Sequence, residues 1–251
     1  MSRLYRIGQI VPSSNTTMET EIPAILRARE ALCPERFTCH SSRMRMRKVV
    51  KEELEAMDRE SLRCAAELAD ARVDVIGYAC LVAIMSMGLG YHRASETRLA
   101  TAAAEASGKA PIVTSAGALI EGLRALGAKR ICLIAPYMRE LTDLVVRYIE
   151  SEGIEVLDRI ALEIPDNLEV GRRDPMMLLN DVNRLNTSNA DVVVLSACVQ
   201  MPSLQAVPLV EAKLGVPVTT AAICTTWRML SLLGLRAVSP DAGALLHESS
   251  R

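Results

Sequence analysis

Two cysteines, Cys80 and Cys198, each end an apolar run that begins beside an aspartate, VDVIGYAC over residues 73–80 and ADVVVLSAC over residues 190–198. An ionised thiol is a strong nucleophile and its acid form carries a proton. Two thiols facing one ligand could therefore add to an electrophilic carbon, or remove and return a proton. Taken singly, a cysteine is most often a small buried hydrophobe, and Cys33, Cys39, Cys64, Cys132 and Cys224 carry only that reading. Seven is an odd number, and the spacings suit neither a disulfide framework nor a metal site. His40, His92 and His247 stand in unrelated contexts and add no zinc-like spacing.

What singles out Cys80 and Cys198 is equivalence of place. Short apolar runs rich in Val and Ile alternate with longer helical stretches, the pattern of a parallel sheet covered by helices. The runs lie at residues 6–12, 73–80, 109–115, 130–136, 190–198 and 215–221, in two sets of three. Arg6 and Pro12 match Arg130 and Pro136 at one interval of 124 residues, and Ala79-Cys80 matches Ala197-Cys198. Pro111 matches Pro217, and apolar helices follow both. A duplication of this period has the size of a small domain. The expected fold is α/β, with two pseudo-symmetric Rossmann-like halves, each a short parallel sheet flanked by helices, and the active site in the cleft between them. Each half is expected to lend its last segment to the other near Ser115 and Val218. One half is then residues 1–115 plus 218–251, and the other residues 116–217.

In open parallel sheets ligands bind beyond the carboxyl ends of the strands, where Pro12, Cys80, Pro136 and Cys198 fall. Asn15 sits at that mouth in PSSNTTME, where Thr16 and Glu19 have capping-box spacing. The equivalent segment PYMRELTD offers Tyr137 and Arg139. A helix N-terminus beside each cysteine is expected to lower its pKa.

On VPSSNTTMETEIP, GYACLVA, APYMRELTD, PDNLEVGR and SACVQMPSL, the sequence resembles the maleate cis-trans isomerases of the aspartate/glutamate racemase superfamily over essentially its whole length. The racemases of that superfamily typically carry Cys-Asn-Thr and Gly-Cys-Thr. Here Cys80-Leu81-Val82 and Ala197-Cys198-Val199 stand instead. The resemblance implies Cys80 as nucleophile, Cys198 as its acid/base partner, and Asn15, Tyr137 and Asn167 as ligands of the substrate carboxylates. Backbone amides of Leu81, Val82 and Val199 would complete the cradle. The implied reaction is maleate to fumarate, by thiolate addition to the double bond, rotation and elimination. A racemase or epimerase of aspartate, glutamate or a related acid is the alternative enzyme, and a dicarboxylate-binding sensor the alternative outside catalysis.

No cofactor or metal is needed for such chemistry, and neither GxGxxG after the first strand nor a P-loop is present. A formal charge of -1 and an aromatic content of 3% offer nucleic acid neither attraction nor a stacking platform. No run is long enough for a membrane span, so a cytoplasmic protein, as a homodimer, is expected. Residues 43–48, RMRMRK, would put Arg43, Arg45 and Arg47 on one face of a solvated edge before a capped acidic helix, with anion steering as a further role. Trp227 reads as core or subunit contact. The glycines of GLGYHRAS suggest a connector or a mobile cover over residues 86–94.

Overall fold

The computed structural model describes residues 3–247. Its first half carries strands β1 (Leu4–Pro12), β2 (Arg36–Met44), β3 (Val75–Tyr78) and β4 (Ile112–Thr114), interleaved with helices α1 (Met18–Arg29), α2 (Lys51–Asp70), α3 (Leu81–Ser86) and α4 (Tyr91–Glu105). After α5 (Ser115–Ala125) come β5 (Arg130–Ala135), β6 (Glu155–Ala161), β7 (Val192–Ser196) and β8 (Val218–Thr220). Their helices are α6 (Arg139–Ser151), α7 (Asn167–Arg172), α8 (Leu178–Asp181), α9 (Val207–Leu214) and α10 (Ala221–Leu232).

The strands form two all-parallel sheets of four, in the orders β2-β1-β3-β4 and β6-β5-β7-β8. Adding four to each label of the first order gives the second, so the duplication holds for topology as well as sequence. It extends to the strand starts. Asp74 accepts the Arg6 N–H at 2.7 Å, and Asp191 accepts the Arg130 N–H at 2.8 Å, so each aspartate satisfies the exposed start of its sheet's first strand.

β3 and β7 are buried along their whole length, as uninterrupted apolar runs require. β2 and β6 lie at the sheet edges, with exposed and half-buried residues along most of their length. Their sequences, RFTCHSSRM and EVLDRIA, lack a continuous apolar run, which is why the six-strand reading passed over them. In α2 the buried residues Leu54, Met57, Cys64, Ala65 and Leu68 recur at helical spacing and cover β1 and β2.

The two halves meet through equivalent helices. α5 follows β4, α10 follows β8, and the two pack on each other, with α10 reaching back across β3 and β4. A Cβ on Gly122 would lie 2.6 Å from Cys224 Sγ, so the glycine permits this close crossing. β4 closes at Thr114, and β8 belongs wholly to the second sheet.

Candidate active site

Cys80 lies two residues past the end of β3 and caps α3 with φ 81° and ψ 72°, a left-handed conformation that a side chain adopts at a cost of about 1–3 kcal/mol. Such strain persists where surrounding structure imposes it. Here Ala79 donates back to Ile10 at 3.0 Å while α3 starts at once, so the chain turns within one residue. Cys198 follows β7 with Ala197 donating to Ile134 at 2.9 Å, the symmetric bond. No helix follows it directly: residues 199–203 form a loop, and its amides turn back on the sulfur, with Gln200 N–H donating to Cys198 Sγ at 3.4 Å.

Both cysteines line one cavity together with Asn15, Val82, Tyr137, Asn167 and Val199. Every sequence-derived candidate except Leu81 is therefore at the cavity wall; Leu81 is fully buried in the first turn of α3 behind it. Pro12, Met46, Val49 and Gln200 complete the lining. The enclosed volume is about 20 Å³, room for about one water molecule. Outside it, an outer hollow of about 670 Å³ shares Val49, Tyr137 and Asn167 with the cavity and adds Arg47 and Lys48.

Asn15 replaces the expected capping box. Its Oδ1 accepts the N–H groups of Thr17 and Met18 at 2.9 and 3.0 Å, whereas Thr17 makes no side-chain cap. With Oδ1 so used, the Nδ2 donor is the group left for a ligand. Asn167 opens α7 behind its Asp166 cap, and its Nδ2 donates to Ser14 Oγ at 2.8 Å. Tyr137 is held between β5 and α6 on the cavity wall beside Cys198, where its hydroxyl favours the thiolate form of that cysteine.

The expectation of acidic thiols fails. Burial pushes Cys80 up to about 12, with Cys198 adding to the rise and the Ala83 amide opposing it. Burial also raises Cys198, against the Tyr137 hydroxyl and the amides of Gln200 and Met201. One turn of helix supplies too few donors to repay desolvation of a thiolate. Of the five cysteines read as buried hydrophobes, Cys33, Cys64, Cys132 and Cys224 are buried and Cys39 is exposed, since it lies on edge strand β2.

Residues 43–48 do more than face solvent. The arginines alternate outward with Met44 and Met46 buried, but the strand ends at Met44. Arg43 pairs with Glu19 and donates to the carbonyls of Ser13 and Asn15 at 3.0 and 2.7 Å, bracing the loop that carries Asn15. The acidic helix that follows, α2, is preceded by Val50, which supplies no side-chain cap. Instead Glu53 reaches back to the N–H groups of Arg47 and Lys48. The segment 86–94 lies away from the cavity: Tyr91 bonds Asp58, His92 packs on Tyr148, and Arg93 pairs with Glu152 of the other half. It is a clamp between halves rather than a cover.

Two nucleophile-type side chains and three neutral donors around one small cavity suit a doubly charged, planar acid. The arylmalonate decarboxylase family model matches residues 7–246. The chain belongs to that family. Within it, the chain is 65% identical to a maleate isomerase of Pseudomonas putida, over 98% of each sequence. The structure of a maleate isomerase variant from another strain of that species, solved with maleate, superposes with a TM-score of 0.97. It is 59% identical, over 98% of this chain and 99% of that one. A variant of the Nocardia farcinica maleate cis-trans isomerase, solved with a covalently bound succinylcysteine intermediate, is 44% identical, over 98% and 99% of the chains, with a TM-score of 0.94. Among the described residues no helix is long and apolar enough to cross a membrane. No group of three or more His, Cys, Asp or Glu side chains among them is arranged to hold a metal ion.

Proposed function

We propose that this protein is a cofactor-independent maleate cis-trans isomerase in which Cys80 adds to the substrate double bond. The observation that carries the proposal is the convergence of Cys80 and Cys198, from equivalent strand ends of two halves, on one cavity lined by Asn15, Tyr137 and Asn167. Maleate cannot become fumarate while its π bond is intact. Attack of the Cys80 thiolate on C2 makes a C–S bond and sends the π electrons to C3, where the adjacent carboxylate shares the charge. C2–C3 is then a single bond and rotates; return of the electron pair expels the thiolate and leaves the trans alkene. Asn15 Nδ2, Asn167 and the first-turn amides of Leu81 and Val82, together with Val199 N–H, would balance charge on the two carboxylates.

In the variant of this scheme that passes through a saturated thioether, Cys198 supplies a proton to C3 and, as its thiolate, takes a C3 proton back after rotation, so that the electron pair of the broken C–H bond reforms the double bond and expels Cys80. Succinylcysteine, the species named for the Nocardia farcinica enzyme, is such a thioether, and it favours this route. Tyr137, beside Cys198 on the cavity wall, favours release of that proton. The racemase reading is less well supported, because the segments after the two cysteines line the cavity with Val82 and Val199, where an α-amino group would need polar partners.

Proton NMR of the reduced protein with maleate tests the assignment. Wild type should produce fumarate, and Cys80→Ser and Cys198→Ser should each lose activity by at least about a thousandfold. A folded wild type that leaves maleate untouched would sink it. We also propose a cytoplasmic homodimer: all seven cysteines are free, as a reducing compartment allows, and Leu168, Met176 and Met177 leave apolar surface exposed. Light scattering should give twice the 27.3 kDa chain mass; the single mass would refute it.

A further inference from the structure

The side chain of Gln200 is buried and uses both ends of its amide. Its Oε1 accepts the Thr16 N–H at 2.8 Å. Its Nε2 donates to the Ser14 carbonyl at 3.1 Å and to the Asn167 carbonyl at 2.7 Å. Thr16 and Ser14 flank Asn15, so one amide grips the Asn15 loop on both sides and, at the same time, the backbone of Asn167. Its own N–H meets Cys198 Sγ. The four groups come from three separate chain segments and from both halves.

We propose that Gln200 is a positioning residue that fixes the separation of the two carboxylate-binding arms, Asn15 and Asn167, and ties that separation to Cys198. Three further features fit. Asn167 Nδ2 bonds Ser14 Oγ, so the two arms are linked a second time through the segment Gln200 holds. Glu21 of α1 accepts the N–H groups of Ser203 and Leu204 at 2.5 and 2.6 Å, anchoring the far end of the Cys198 loop to the first half. Gly171 of α7 leaves room for the brace, because a Cβ there would lie 2.5 Å from Gln200 Nε2. Only a glutamine in this pose serves all three contacts. A glutamate would set an oxygen against the two carbonyls, and an alanine would leave Thr16 N–H and both carbonyls without this partner.

The inference rests on the dicarboxylate reading of the site, and the test separates the two. Gln200→Ala and Gln200→Glu are compared with wild type for turnover of maleate, and for protection of Cys80 from iodoacetamide by succinate, a saturated dicarboxylate that needs no turnover. Both variants should show KM for maleate raised about tenfold or more, and succinate protection weakened by a similar factor. Their unprotected alkylation rates should stay within about twofold of wild type. A loss of folded protein lowers apparent kcat and leaves KM and the succinate midpoint unchanged. KM and succinate midpoint within twofold of wild type in both variants would therefore overturn the positioning role, whatever happens to kcat. In Gln200→Glu the carboxylic acid form regains one donor, so its succinate affinity relative to wild type should recover as pH falls; a ratio independent of pH counts against the proposal. Should wild type bind succinate yet leave maleate unchanged, the isomerase reading fails, and the succinate arm still decides the role of Gln200.

Discussion

A thiol held at about 12 is almost wholly protonated at neutral pH, so reactivity at Cys80 is set by the rare thiolate rather than by a standing one. Alkylation of Cys80 by iodoacetamide, followed by mass spectrometry, should accelerate about tenfold per pH unit from 7 to 10, with no plateau near 8.5. A plateau in that range would mean that the site ionises the thiol despite its burial. The left-handed φ of Cys80 gives a second expectation: Cys80→Gly should be more stable to denaturant than Cys80→Ala by about 1 kcal/mol, since only glycine relieves the conformation. The two cysteines were legible from the sequence because a strand end repeated with its terminal cysteine is a pattern of residue types. The place of Asn167 on the cavity wall was expected only through resemblance, as nothing in PDNLEVGR distinguishes a site residue from a turn. Gln200 lay inside a quoted motif without a role, because a brace is defined by partners more than thirty residues away or farther, such as Asn167 and Ser14.

Among the elements around the cavity, the loop from Cys198 to Leu204 combines the least secondary structure with contacts to both halves. It is fastened by Gln200 at one end and by Glu21 at the other. Glu21→Gln keeps one acceptor where two N–H groups converge, and should cost about 1–3 kcal/mol in urea unfolding, with kcat lowered because Cys198 loses its support. Unchanged stability and kcat would show that the loop holds its shape unaided. Buried strands β1, β3, β5 and β7 could be read from their apolar runs. Edge strands β2 and β6 could not, since half of each faces solvent and their pairing is dictated by the neighbours β1 and β5. The mistaken capping box has the same origin: Thr16 and Glu19 have the right spacing, but tertiary contacts give the Thr16 N–H to Gln200 and Glu19 to Arg43.

At the scale of the molecule, the halves are held together away from the cavity by Glu152, which bonds Arg93 of α4 and Arg124 of α5. Arg93 hydrogen bonding holds the Glu152 carboxyl at about 2, below its ordinary 4.5. The folded pKa is depressed, so this stabilisation is complete above about 4.5 and disappears as pH falls toward 2. Glu152→Gln should therefore lower stability by about 1–2 kcal/mol at pH 7, both arginines being half exposed, and by roughly half as much or less at pH 3. Equal loss at both pH values would assign the effect to packing. The duplication has a different kind of consequence. The halves match in topology but end differently at the cysteines, one thiol beginning a helix and the other a loop. Maleate has interchangeable ends and conceals that difference. A methyl group on one alkene carbon would expose it: attack would fall on a single carbon, and the site would prove regioselective toward substrates whose own two ends are unlike.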